Sequence, residues 1–195
     1  MVSLKNLKKT LLYIICLNLF LPAPDGMTSE EVLDSGLWKQ IESKHVIIQY
    51  KRFEDVQDFD ENIDYSPDGL SLKNLFSSAD PQNPTRSVTR KMDGIFKKVQ
   101  KILDMRGEIK KVTLKVYPNT EQLHKAYFAI TGEKCNYRAW YIFEINTIYI
   151  NNDDVHEGII AHEMAHSIID HYFSVRPPRA TAEILSRYVD QHLDF

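Results

Sequence analysis

Between Val155 and Phe173 the chain reads V-H-E-G-I-I-A-H-E-M-A-H-S-I-I-D-H-Y-F. Inside it lies His162-Glu163-Met164-Ala165-His166, an H-E-x-x-H. Residues i and i+4 of an α-helix project from one face, roughly 6 Å apart along the axis. Two imidazoles at that spacing can bind one zinc ion from the same side. Glu163 lies about 100° round from His162, beside the ion rather than on it, where a carboxylate can take a proton from a metal-activated water. Ile159, Ile160, Ile168 and Ile169 are spaced to feed a core, so the spacing predicts a helix over the whole stretch. The competing reading is two ordinary histidines on a helix, and the rest of the chain has to decide between them.

The 195 residues, 43% hydrophobic and 26% charged, suffice for one domain with its own core. Residues 1–24 are of another kind. Lys5, Lys8 and Lys9 precede an apolar run from Leu11 to Leu21, which Pro22-Ala23-Pro24 breaks. This is the pattern of a signal peptide, too short for a comfortable membrane span. It predicts export to the periplasm or the outside, with an anchor helix only if the leader is retained. Loss of those three lysines leaves 21 basic against 27 acidic residues, and the net charge moves from −3 to about −6. Such a balance gives no reason to seek nucleic acid. Cys135 is then the one cysteine left, so it reads as a small buried apolar residue.

Residues 25–43 form an N-terminal segment in which Glu30 to Ile41 reads as a short amphipathic helix, followed by a strand from His45 to Tyr50. Phe53 to Pro84, rich in aspartate and broken by Pro67-Asp68-Gly69, reads as an irregular acidic insertion in the domain 44–195. Asp58, Asp60, Asn62 and Asp64 copy the start of a calcium loop, but Ile63 and Gly69 stand where that loop needs glycine and glutamate. Thr85 to Met105 keeps a 3.6-residue apolar period and predicts a long helix closed by Gly107. Lys111 to Tyr117 alternates as a half-buried strand does. A short helix capped by Thr120 follows, with Leu123, Tyr127 and Phe128 inward, then a loop over Thr131–Asn136. Arg138–Glu144 and Thr147–Asn151 read as strands, and Asn152-Asp153-Asp154 as the start signal of the H-E-x-x-H helix. Past it, Val175-Arg176-Pro177-Pro178 enforces a turn, and Thr181 caps a last helix over Ala182–Leu193. The order predicts an α+β domain with a small mixed sheet.

A catalytic zinc takes three protein ligands and a water. Asp170 continues the i, i+4 series but lies about 12 Å along the axis from His162, too far to share its ion. The third ligand must come from outside this helix. The double-proline turn folds the last helix back beside the first, and Glu183 opens it, with His171, Asp190 and His192 as rivals.

His162-Glu163-x-x-His166, a turn with prolines, then a glutamate opening the next helix resembles the gluzincin metallopeptidases. The strand Val46–Tyr50, a long helix, a strand ending in Tyr-Pro, a short helix, then R-A-W-Y-I-F and T-I-Y-I are similar to the compact zincin-like "peptidase MA-like" domains. The resemblance covers about residues 44–195. The metzincin pattern is excluded, because Ile169 and Tyr172 stand where it requires glycine and a third histidine. The resemblance implies a zincin-like fold, with Zn2+ held by His162, His166 and Glu183, and Glu163 as general base. Several gluzincins carry a helper acid four residues after the glutamate, where this chain has Arg187, and Asp190 is a partner for a ligand histidine instead.

The resemblance implies an exported zinc metallopeptidase, a hydrolase that cuts a peptide or protein substrate as an endopeptidase. The alternative is a catalytically silent zincin-like module that binds a peptide or protein and keeps a structural zinc. By resemblance, the substrate pairs with the edge strand Ala139–Phe143, although Trp140 and Tyr141 read more readily as core. Tyr141, Arg187 and Tyr188 are candidate oxyanion donors. The chain ends soon after Glu183, which leaves Phe53–Pro84 as the expected source of a lid.

Overall fold

The structure, a computed structural model, describes residues 37–65 and 83–193. The expected leader 1–24, the start of the N-terminal segment and residues 66–82 of the acidic insertion lie outside the described residues. Trp38–Phe195 forms one compact unit, and the other unit, Met1–Leu37, is described only at Leu37. Among the described residues no helix is long and apolar enough to cross a membrane.

Among the described residues five strands form one mixed sheet: β1 (Lys39–Glu42), β2 (Val46–Tyr50), β3 (Val112–Tyr117), β4 (Ala139–Ile142) and β5 (Thr147–Asn151). Their spatial order is β1-β2-β3-β5-β4. The two inner pairs, β2–β3 and β3–β5, are parallel, and the two outer pairs are antiparallel. Parallel neighbours need crossovers. The helices α1 (Phe53–Glu61) and α2 (Pro84–Ile102) lie in the first crossover, and α3 (Thr120–Thr131) in the second. The chain closes with α4 (Glu157–Tyr172) and α5 (Arg179–His192).

The period-2 pattern decides the two faces. Val46, Ile48, Val112, Leu114, Val116, Ile148 and Ile150 are buried in the main core with the apolar stripes of α1, α2 and α4. Their alternates feed a smaller aromatic cluster, in which the Trp140 and Tyr149 rings stack at 4.8 Å and Leu123 of α3 is fully buried. Trp140 is therefore core, and Cys135 is buried beside it. Phe128 is not inward as expected: it is 59% exposed, since only Leu123 of α3 is buried in that cluster.

Two expectations fail for physical reasons. Residues 37–41 do not belong to a helix. Lys39–Glu42 pairs with β2 as a hairpin, so the sheet begins ahead of residue 44. The turn is fixed by Asp93 of α2, whose carboxylate accepts from the Ser43 hydroxyl and from the Lys44 and His45 N–H groups. Nor is the acidic stretch irregular at its start, for Phe53–Glu61 is helix α1, with Val56 and Phe59 buried. Two of its acids have internal partners. Asp55 accepts from the Arg52 N–H in a capping box. Asp60, 1% exposed, forms a buried ion pair with Lys91 of α2 at 2.9 Å. A packed helix pinned in this way is no lid.

The remaining differences concern helix ends. Asn119, not Thr120, caps α3. The Thr120 N–H and hydroxyl donate to Asp153 instead. α2 ends at Ile102, with Leu103 as its cap, rather than near Gly107. α5 begins at Arg179, two residues before the expected Thr181 cap.

The β1–β2 turn also carries a pH-sensitive group. The His45 ring stacks on Phe96 with centroids 4.8 Å apart. Burial pushes its imidazole below the ordinary 6.5, against the pull of Asp93 and with Lys44, Lys97 and Lys111 adding to the depression. The folded chain therefore holds fewer protons than the unfolded chain between the depressed value and 6.5. The resulting stability is full above about 6.5 and falls as pH drops from there to the folded-state value. Urea midpoints at about pH 7.5 and about pH 5.5 should separate less in His45→Phe, which keeps the stack and cannot titrate. An equal separation in both proteins would show that other groups set the dependence.

Candidate metal centre

α4 starts where His156 is extended and its Nδ1 accepts from the Gly158 N–H at 3.2 Å. A Cβ at residue 158 would stand 3.1 Å from the His156 ring, so glycine lets the cap ring fold over the helix end. The expected start signal, Asn152-Asp153-Asp154, serves other ends. Asp153 holds Thr120, and Asp154 accepts from Arg138 at 3.2 Å.

His162 and His166 follow one turn apart, with ring centroids 5.0 Å apart. α4 ends at Tyr172, and the turn after it is tied down by Arg176, which donates to the buried Asp170 at 2.9 Å and lies over the Phe143 ring. α5 then returns beside α4. Ala182, Ser186 and Val189 are buried at i, i+4 and i+7, a narrow seam that lets the two helices approach closely. One residue after each seam position come Glu183, Arg187 and Asp190, about 100° round from the seam. Glu183 and Asp190 both reach side chains of α4.

The contacts then run antiparallel. Glu183 Oε2 at the start of α5 stands 3.4 Å from His166 Nε2. Asp190 Oδ2 near its end lies 2.9 Å from His162 Nδ1. Nδ1 is thereby engaged, which leaves the other ring nitrogen of His162 as its donor toward a metal. One donor atom from each of His162, His166 and Glu183 lies within 4.8 Å of the other two. Tetrahedral zinc with ligands at about 2.0–2.1 Å sets its donors about 3.3 Å apart. The His166–Glu183 separation, 3.4 Å, already matches, and the His162 donor lies within 4.8 Å of both. The donor set fits the ion.

The other residues singled out by sequence lie elsewhere. Asp170 is paired with Arg176. His171 Nδ1 contacts the Ser167 carbonyl and the Tyr141 hydroxyl. His192 Nδ1 contacts the Tyr188 carbonyl. Tyr141 donates to the Asn146 carboxamide oxygen at 3.0 Å, which commits its hydroxyl to the core rather than to an oxyanion. Tyr188 leans on the His192 ring and stays 45% exposed.

Burial sets the electrostatics. It lowers the His166 imidazole below its ordinary value, and His162 pushes the same way. His166 is thus neutral near pH 7, the form with a lone pair for a metal. Burial also raises the Glu163 carboxyl to about 7, opposed by His162 and aided by Glu183 and Asp190. A dication beside it would pull that value down.

Glu163 and His162 line a cleft of about 680 Å³, together with Asp190, the first turn of α4 and the 136–139 segment leading into β4. Among the described residues β4 is an edge strand, with β5 as its partner on one side. The cleft walls were not legible in the sequence, because residues 136–138 carry no periodic pattern. The Glu183–Arg187 contact was legible as an i, i+4 pair of opposite charge on a helix.

The contact between Asp190 and His162 gives a test of whether the group holds a metal. Asp190→Ala frees His162 to rotate and to change tautomer, and zinc affinity should fall about 10- to 100-fold. Competition with a chromophoric chelator reads this directly, and unchanged affinity would mean that the contact at 2.9 Å does not support the ligand. No family model, curated protein or solved structure matches the chain.

Proposed function

We propose that the chain is an exported zinc-dependent peptidase of zincin-like fold, with the gluzincin ligand order His162, His166, Glu183. One observation carries the reading. Three side chains able to ligate a metal converge to within 4.8 Å of one another, and the extra carboxylate of the motif, Glu163, opens with His162 into a cleft beside an edge strand. A purely structural site has no use for that carboxylate.

Zinc in this position supplies Lewis acidity toward the scissile carbonyl and acidifies a water. Everything else falls to the chain. β4, outermost among the described strands, offers its edge to an extended peptide, and main-chain hydrogen bonds hold the peptide beside the cleft. Glu163 removes a proton from the attacking water, whose oxygen forms the new bond to the carbonyl carbon. As the C–N bond breaks, Glu163 hands that proton to the leaving amine. Asp190 keeps His162 oriented throughout.

The test is an unfolded protein, such as reduced casein, incubated with the zinc-loaded chain. Fragments with new amino termini at internal positions are expected. Casein that is retained by the immobilised chain yet stays intact would favour a silent binding module.

A further inference from the structure

Arg187 stands where a helper acid would be expected, and its contact is specific. Its Nε donates to Glu183 Oε1 at 3.2 Å, while the other oxygen, Oε2, faces His166 Nε2 at 3.4 Å. The two carboxylate oxygens therefore have different neighbours, one a guanidinium and the other the metal-binding group. Glu183 and Arg187 are one turn apart on the same stripe of α5. As a surface ion pair this contact contributes little to folding. Its consequence lies at the ligand.

We propose that Arg187 is a positioning residue that restricts Glu183 to a single-oxygen ligand, so that a coordination position stays open for water and substrate. The inference rests on His162, His166 and Glu183 being the zinc ligands. A free carboxylate beside a dication can bind through both oxygens. The guanidinium engages Oε1 and disfavours this, and its positive charge also opposes the ion. Arg187 thus weakens zinc binding while keeping the site reactive, the reverse of what a merely supporting residue does.

Two variants and two metals test this. Arg187→Ala should bind zinc several-fold more tightly than the wild type, by chelator competition, and its kcat should fall. With cobalt(II) in place of zinc, its visible absorption bands should weaken, as they do when coordination number rises. The metal-free unfolding midpoint should not move. Arg187→Lys keeps a donor and the charge, and should restore part of the wild-type spectrum. Weaker or equal zinc affinity in Arg187→Ala with an unaltered cobalt spectrum overturns the proposal, as does a lowered metal-free midpoint that accounts for the change. A wild-type chain that takes up neither metal removes the ligand assignment itself, and the role of Arg187 with it. That outcome is visible before any variant is made.

Discussion

Glu163→Gln should take up zinc like the wild type and lose about 10²- to 10⁴-fold in kcat toward an unfolded protein substrate. The substitution keeps shape and polarity and removes only the capacity to accept a proton. Glu163 does not belong to the converging donor group, which consists of His162, His166 and Glu183. Metal content therefore has no reason to change. The residue lines the cleft with His162, so its oxygens are placed to meet a water there rather than to seal the core. Equal kcat in both proteins would assign the cutting to a contaminant or to another group.

Removing a ligand should have the second large effect. His166→Ala deletes a donor that burial holds neutral and that stands 3.4 Å from Glu183 Oε2. Zinc affinity should fall by more than the roughly 100-fold that loss of a supporting residue causes. The same change is readable in stability. A ligand bound only by the folded chain adds about 4 kcal/mol when present at about 1,000 times its Kd. The wild type should therefore melt lower once zinc is stripped by a chelator and recover when zinc returns. His166→Ala should melt at one temperature with or without zinc. If chelation leaves the wild-type melting curve in place, the convergence of these side chains has no metal behind it.

Some of this was legible in the sequence for identifiable reasons. α2 is long and strictly periodic, α4 is long and carries paired isoleucines and the H-E-x-x-H, and β2, β3 and β5 alternate or are β-branched, so both types stood out. β1 did not, because a four-residue strand with intermediate burial at Ile41 alone carries too little pattern to separate it from a helical one. α1 was hidden by its own acids. Asp55 and Asp60 look solvated in sequence, and only the fold supplies Arg52 and Lys91 as partners. At the site, His162 and His166 follow from one helix, but the His162–Asp190 contact needs the register of two helices. That register is set by Ala182, Ser186 and Val189, small or slender residues that become informative only once they are seen buried. The same seam explains why Glu183 rather than His192 joins the pair, while His171, on α4 itself, has its Nδ1 turned to the Ser167 carbonyl and the Tyr141 hydroxyl.

Metal analysis of the protein purified without added chelator addresses the zinc assignment most directly. One zinc per chain is expected in the wild type and in Glu163→Gln, and essentially none in a variant lacking both His166 and Glu183. A wild type without zinc after incubation with it, or equal zinc in the ligand-deleted variant, would contradict the assignment.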